Sequence, residues 1–414
     1  MKKRSRTLKR REFLTTSLAT ATAGIVGFSG STPAAQGQNI DKVNETKGSD
    51  NMIFREIGKT GIRVPIVSMG VMNAFNPQLV KYAYNQGIRF FDTAAVYQNG
   101  YNEKMVGNVI KELGIRDKIA IQTKIFLPKP RRNESPDKIK EFFLKTAEES
   151  LKRLQTDHVD ILLSHNVPDI EYLNNPGVIE ALQQLKDQKK TRFIGFSTHS
   201  NMAKIIHNAS ISGLYDVIET AFNYSMFSRS DLMDACKTAA DKGIGLVAMK
   251  TQCQQPWFKS SEPGNRQPFY EGPIIHSALL KWVLKHPFIS CAIPGFTSFE
   301  QIDEDISVAL DLDYTDEEKK FLQNRGVKVA MAAVCQQCGA CLNTCPRKVD
   351  IPELIRIHMY AVSYNNFHIA RDTLDALPEE SGLIQCGNCS SCAAVCRNRV
   401  NIPERISELK LIYG

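Results

Sequence analysis

Residues 119–165 read IAIQTKIFLPKPRRNESPDKIKEFFLKTAEESLKRLQTDHVDILLSH. A short apolar run opens the segment, a second closes it at 159–164, and residues 136–154 between them are amphipathic. Strand, helix and strand in that order make a βαβ unit. Working outward, the same alternation recurs along the chain. Apolar runs stand at 66–71, 89–93, 119–124, 159–164, 193–197, 217–222, 245–249 and 290–294, each followed by an amphipathic stretch such as 231–242. Eight such units over about 250 residues predict an α/β fold of the (β/α)8 TIM-barrel type. A doubly wound sheet is the alternative, but it needs a Gly-rich dinucleotide loop after the first strand, and none is present.

In a barrel, chemistry collects where strands end and loops begin at the C-terminal face. Those ends carry Asp92 after the second run, Tyr97 in the loop beyond it, Lys124 after the third and His165 after the fourth. Consecutive strands are neighbours, so the four side chains can converge. Their types suit carbonyl reduction. A tyrosine of ordinary pKa, about 10, is a weak acid unless a nearby cation stabilises its phenolate. Lys124 can supply that cation and Asp92 can hold it. Tyr97 then protonates a carbonyl oxygen as hydride reaches the carbon, and His165 hydrogen-bonds the same oxygen. Singly, each of the four has an ordinary structural explanation; in order on three adjacent strands they form a set.

Phe90-Phe91-Asp92-Thr93-Ala94 with Tyr97, Gln122-Thr123-Lys124 and the run from Asp160 to His165 resemble the aldo/keto reductase family. So do the Gly58-Lys59-Thr60-Gly61 hairpin, Gly195-Phe196-Ser197, and Ile293-Pro294-Gly295 with Gln301 and Glu304. The resemblance spans residues 53–312. It implies NADPH or NADH extended across the barrel mouth, with Asp92, Tyr97, Lys124 and His165 catalytic and Ser197, Thr198, Glu219, Gln301 and Glu304 binding the cofactor. The cofactor positions depart from the family pattern. Thr198 stands where Asn is usual, Glu219 where Gln is usual, and Met249 where an aromatic ring stacks on the nicotinamide. Gly295 and Gln301 offer no basic partner for a 2′-phosphate, so little discrimination between NADPH and NADH is expected. Trp257, Phe258, Phe269 and Tyr270 in the loop 251–272 are candidates for a pocket wall, or for ordinary loop packing.

Eleven cysteines include two tight groups. Cys335-x2-Cys338-x2-Cys341-x3-Cys345-Pro346 is answered by Cys386-x2-Cys389-x2-Cys392-x3-Cys396, with matching tails Val349-Asp350-Ile351-Pro352-Glu353 and Val400-Asn401-Ile402-Pro403-Glu404. Each group is the bacterial ferredoxin run, and the duplication predicts two 4Fe–4S clusters rather than disulfides or zinc. Helical periodicity at Leu354, Ile355, His358, Met359 and Val362, and again at 369–377, resembles the α-helical dicluster ferredoxins. That resemblance implies that Cys345 completes the second cluster and Cys396 the first. Arg397 replaces the usual proline after the second group. Cys236 and Cys291 fit core positions, and Cys253 follows a strand on the active face.

The net charge of +8 suggests a nucleic-acid partner only until it is located. Seven basic residues and one acid, Glu12, lie within residues 1–35, and without them the charge is +2. No basic stripe for nucleic acid remains. Lys9-Arg10-Arg11-Glu12-Phe13-Leu14 precedes a mildly apolar stretch, residues 15–28, too short and too polar for a stable membrane span. This reads as a twin-arginine signal, cleaved near Thr32-Pro33-Ala34-Ala35, that delivers folded protein to the periplasm or another extracytoplasmic space. The expected organisation is a signal peptide at 1–35, a linker at 36–51, the barrel at 52–312 and a small α-helical dicluster ferredoxin-like domain at 313–414. Two functions compete. One is an iron–sulfur oxidoreductase acting on a small carbonyl or alcohol and exchanging electrons with a partner. The other is an electron-transfer or partner-docking protein with a catalytically drifted barrel.

Overall fold

A computed structural model describes residues 46–47, 51–252, 270 and 272–414. The expected leader, nearly all of the linker, Cys253, Trp257, Phe258 and Phe269 lie outside the described residues. Strands β1 (Thr46–Lys47), β2 (Ile53–Glu56) and β3 (Arg63–Pro65) form an antiparallel sheet. Eight parallel strands follow in consecutive order: β4 (Met69–Gly70), β5 (Phe90–Asp92), β6 (Ala120–Phe126), β7 (Val159–His165), β8 (Thr191–Thr198), β9 (Val217–Ala221), β10 (Gly245–Met249) and β11 (Cys291–Ala292). Parallel bridges Val67–Ala292 and Gly70–Gly295 join the first strand to the last and close the barrel.

The period of two along each strand explains why the apolar runs are continuous. Ile161 and Leu163 of β7 face a lumen shared with Phe90, Val217, Val247 and Cys291. Leu162 points the other way, into the core beneath the helices with Phe143, Leu151 and Leu182. Both faces are buried, so apolar residues dominate both and the polar ones on them are hydrogen-bonded in sets. Ile57, Ile62 and Val64 of the β2–β3 hairpin plug the lumen from its N-terminal end. Gly58, at φ +55°, lies so close to Gly243 and Gly245 that a Cβ would collide with their backbone, which explains glycine there.

The duplicated tails of the cysteine groups are helix starts. Asp350 and Asn401 each accept a hydrogen bond from the amide three residues on, Glu353 and Glu404, both at 3.3 Å. Proline follows in the first turn, where its missing N–H costs nothing. Helices Ile351–His358 and Ile402–Tyr413 then bury Leu354, Ile355, Ile406 and Leu409 in one small core. Residues 359–363 continue the first helix as a π-helical turn. Helices Asp316–Gln323 and Arg325–Ala332 instead share a core with Tyr224, Ala278 and Leu279 of the barrel.

Asp41–Gly414 forms one compact unit, and the cysteine-bearing segment sits on the barrel's mouth. Ala94 and Tyr97 belong to the same core as Ile355, Tyr360 and Ile369. Asn366 Nδ2 donates to Asn73 Oδ1 at 2.9 Å, Arg356 Nη1 to Asn166 Oδ1 at 3.0 Å, and Gln336 Nε2 to the Ser225 carbonyl at 2.8 Å. Among the described residues no helix is long and apolar enough to cross a membrane.

Candidate active site and cluster ligands

Asp92 ends β5, Lys124 lies within β6 and Glu219 within β9, all pointing into the top of the lumen and all buried. Lys124 Nζ donates to Asp92 Oδ1 and Oδ2 at 2.6 and 2.5 Å and to the Thr93 carbonyl at 3.1 Å. It also lies 3.2 Å from Glu219 Oε2. Gln122 Nε2 ties the carboxylates together, donating to Asp92 Oδ1 and Glu219 Oε2 at 2.7 Å each. Burial alone would lower the Lys124 ammonium, but Asp92 and then Glu219 hold it above its ordinary value. Two carboxyls share one cation, and the imbalance falls on Glu219: burial, then repulsion from Asp92, pushes it up to about 8.

Tyr97 begins the short 3-10 turn Tyr97–Gly100, in which Gln98, Asn99 and Gly100 all have positive φ. Three successive left-handed residues are unfavourable unless held. Just beyond the turn, the buried Asn102 donates to the Val71 carbonyl at 2.8 Å and accepts from Thr93 Oγ1 at 2.7 Å, tying this segment to its neighbouring loops. Nothing in the periodicity of the sequence singles out Asn102, because its role is to satisfy backbone from distant loops. Tyr97 packs edge-on to His165, ring centroids 5.8 Å apart, with Lys124 Nζ 5.2 Å from its ring centre.

One expectation needs correction. Lys124 does pull the Tyr97 phenol down, but burial outweighs it and Asp92 and Glu219 oppose it, so the phenol lies above its ordinary range. Tyr97 is thus held protonated. Burial, reinforced by Lys124, Arg356 and Lys250, lowers His165 well below its usual range, leaving a neutral imidazole whose Nδ1 is buried without a partner.

The five residues expected to bind the nicotinamide cofactor are dispersed. Ser197 Oγ accepts from the Asn166 amide at 2.9 Å, and Thr198 Oγ1 donates to the carbonyls of Val167 and Ser200 at 2.8 and 3.1 Å. Glu219 is engaged with Lys124. Gln301 Oε1 accepts from Thr297 N at 2.8 Å, in the turn before helix Phe299–Leu310, and Glu304 is exposed on that helix. Tyr270 packs on Phe321, centroids 5.7 Å apart, as an ordinary loop contact.

Two cavities meet the reactive set. The larger, about 470 Å3, is lined by Tyr97, Phe126 and His165 from the barrel and by Arg356 and Tyr360 from the cysteine-bearing segment. The smaller, about 90 Å3, lies between Asp92, Tyr97, Glu219, Met249, Thr251 and Tyr364. The Thr251 hydroxyl, which lines it, is buried without a partner. This unpaired hydroxyl, in a cavity that Tyr97 also lines, can bond a carboxamide such as that of a nicotinamide ring.

The thiols sort into two sets that cross between the motifs. Cys335 is surrounded by Cys396, Cys341 and Cys338, and Cys386 by Cys345, Cys392 and Cys389. Gln337 Nε2 donates to Cys335 Sγ at 3.4 Å and the Asn398 amide to Cys396 Sγ at 3.3 Å. Arg405 is buried near Cys335 and Cys396, and Lys410 donates to the Cys386 carbonyl at 2.6 Å. Soft sulfur donors with nearby amide and cationic groups fit iron–sulfur cores. Among the described residues no three or more histidine, cysteine or carboxylate side chains are placed closely enough to hold a single metal ion. Cys236 and Cys291 are buried in the barrel.

Comparison with known proteins finds two separate matches along the chain. Residues 70–274 match the aldo/keto reductase family and residues 334–401 match the 4Fe-4S dicluster domain. L-galactose dehydrogenase of Arabidopsis thaliana is 28% identical over 291 residues, which is 63% of this chain and 89% of that protein. Aldo-keto reductase AKR11C1 from Bacillus halodurans, in its holo form, superposes with a TM-score of 0.53 at 19% identity, covering 67% of this chain and 99% of that one. An aldo/keto reductase from Klebsiella pneumoniae in complex with NADP and acetate gives 0.50 at 21% identity, covering 64% and 92%.

Proposed function

We propose that this chain, an oxidoreductase joining an aldo/keto reductase barrel to a 4Fe–4S dicluster domain, interconverts a carbonyl and an alcohol with NADPH or NADH and couples that reaction to electron transfer through two clusters. The observation that carries the proposal is the convergence of Tyr97 and His165 on one cavity, with Lys124 and Asp92 directly behind them. Bound nicotinamide would exchange a hydride, carrying two electrons, with the carbonyl carbon, and the two clusters, one electron each, would together reload or discharge the nicotinamide. Asp92, Glu219, Met249 and Thr251 would border the nicotinamide. Cys335, Cys338, Cys341 and Cys396 would hold one cluster, and Cys345, Cys386, Cys389 and Cys392 the other.

The protein's own residues act as follows. Tyr97, kept protonated, gives its proton to the carbonyl oxygen in the reducing direction. Lys124, fixed by Asp92, compensates the charge that Tyr97 develops as the proton leaves. Neutral His165 orients the same oxygen through a hydrogen bond. The cysteine-bearing domain covers the mouth and excludes bulk water, which strengthens each of these interactions.

A second proposal has its own support. Thr198 spends its hydroxyl on backbone carbonyls, Met249 replaces an aromatic, and Tyr364 crowds the smaller cavity, all of which suit a barrel retained as a docking scaffold. Anaerobic titration with NADH and NADPH, followed by absorbance and EPR, separates the two. Coupled nicotinamide oxidation and cluster reduction is the expected result. Clusters reducible by dithionite but indifferent to nicotinamide would favour the scaffold.

We further propose export of the folded protein by the twin-arginine route. Arg10→Lys with Arg11→Lys is expected to leave it in the cytoplasm on cell fractionation. An unchanged extracytoplasmic fraction would remove that assignment.

A further inference from the structure

We infer that the substrate carries a carboxylate, held in the larger cavity by Lys250 and Arg356; this rests on the carbonyl reaction proposed above and names its substrate class. The starting point is the cavity's charges. Four carboxylates line it, Asp350, Glu353, Asp372 and Asp375, all from the cysteine-bearing domain. Three of them have a cation in reach: Asp350 pairs with Lys129 at 3.3 Å, Glu353 with Arg356 and Asp375 with Arg371 at 3.9 Å. Asp372 lies 3.3 Å from the His368 ring, and its Oδ2 is buried without a hydrogen bond.

The cations are not all matched. Lys129, Arg132, Lys250 and Arg356 line the same cavity. Arg132 rests on the Tyr172 ring, 5.1 Å from its centre, and donates to the Leu127 carbonyl at 3.4 Å. Lys250 Nζ donates to the Tyr360 hydroxyl at 3.3 Å and lies 5.0 Å from that ring's centre, and its charge also reaches Glu219 across the smaller cavity. Among the described residues neither has a carboxylate within ion-pair distance. Lys250 follows β10 directly and also borders the smaller cavity, so its ammonium stands at the centre of the barrel mouth.

Arg356 adds the second donor. It is 5% exposed. Nη1 is used by Asn166 and Nη2 by Glu353, while Nε is buried without a partner. A buried, unpaired N–H on a charged group is costly, and native structures rarely leave one without a role. Around this cavity stand two unpaired nitrogens, Arg356 Nε and His165 Nδ1, and an ammonium with no carboxylate within ion-pair distance among the described residues. Water can serve these donors but cannot neutralise the ammonium. A carboxylate does both, accepting at two oxygens without needing a donor in return. Arg356 comes from the dicluster domain and Lys250 from the barrel, so one small anion would bridge the two.

Matched ligands test this with the anaerobically purified holoprotein. Benzyl alcohol and 4-carboxybenzyl alcohol differ only in the charged group, and calorimetry reads their binding without turnover. The carboxylate is expected to bind roughly 10–100-fold more tightly. Lys250→Met and Arg356→Gln should each remove most of that preference and leave benzyl alcohol unaffected. Lys250→Met serves alone should Arg356→Gln loosen the domain contact. Equal affinities in the unaltered protein, or a preference that survives both substitutions, would overturn the inference. Turnover of 4-carboxybenzaldehyde is read separately. A carboxylate preference in binding without any turnover would retain the anion site and remove the carbonyl reaction.

Discussion

Tyr97→Phe is expected to lower kcat for carbonyl-dependent nicotinamide oxidation by roughly 10²–10⁴-fold, the usual contribution of a positioned proton donor. The substitution removes one oxygen and keeps the ring that packs on His165 and within the core shared with Ile355 and Tyr360. Folding, cluster content and nicotinamide affinity should therefore be unchanged. The pH profile follows from the burial that raises the phenol. With its pKa above the ordinary value of 10, the proton-donating form persists to alkaline pH, so reduction should show no loss assignable to Tyr97 below about pH 10. His165 stays neutral over the same range and adds no acid limb near pH 6.5. Steady-state rates for wild type and Tyr97→Phe across pH 6–10 check both points. Equal kcat values would remove Tyr97 from the chemistry.

The parts of this molecule that could be read in advance are those whose cause is local. Both faces of each barrel strand are buried, so the apolar runs stand out, and the convergence of Asp92, Tyr97, Lys124 and His165 follows once the strands are ordered. The cysteine spacing is likewise a local matter, and the repeated Pro-Glu tails prove to be capped helix starts. What the sequence hides are contacts made across long separations. Arg356 meets Asn166 across 190 residues, and Lys250 meets Tyr360 across 110. Neither pair leaves a periodic trace, so the dicluster segment reads as a separate domain, whereas it packs directly on the barrel's mouth. Glu219 is a further case. Its position suggests cofactor binding, and the fold adds what the sequence does not show, a contact with Lys124 at 3.2 Å inside the lumen. The phenol of Tyr97 shows why a neighbouring cation is not sufficient to forecast a pKa: complete burial is the larger effect.

That inward-turned carboxyl leads to the second large effect, on stability. Lys124→Met is expected to destabilise the fold by about 3–5 kcal/mol, because it leaves Asp92 buried without its cation. Lys124 is fully buried, as are Asp92 and Glu219, so solvent screening offers little relief. Glu219 also sets the pH dependence. Its folded-state pKa is raised from 4.5 to about 8, so the folded state keeps a proton that the unfolded state has released. The stability this contributes is complete below pH 4.5, declines as pH rises, and is lost through pH 8. Glu219→Gln removes that dependence while keeping an acceptor for Gln122. Relative to wild type, Glu219→Gln should gain stability progressively from pH 5 to pH 8. In the Lys124→Met background both carboxyls lack a cation, so deprotonating the pair is harder still and the loss at alkaline pH should steepen. Adding Glu219→Gln there should relieve that steepening without restoring the whole loss, since Asp92 remains unpaired. Denaturation midpoints of the four proteins at pH 5, 7 and 9 decide the matter. If Lys124→Met matched wild type at every pH, Lys124 would not be the counter-ion on which this buried network depends.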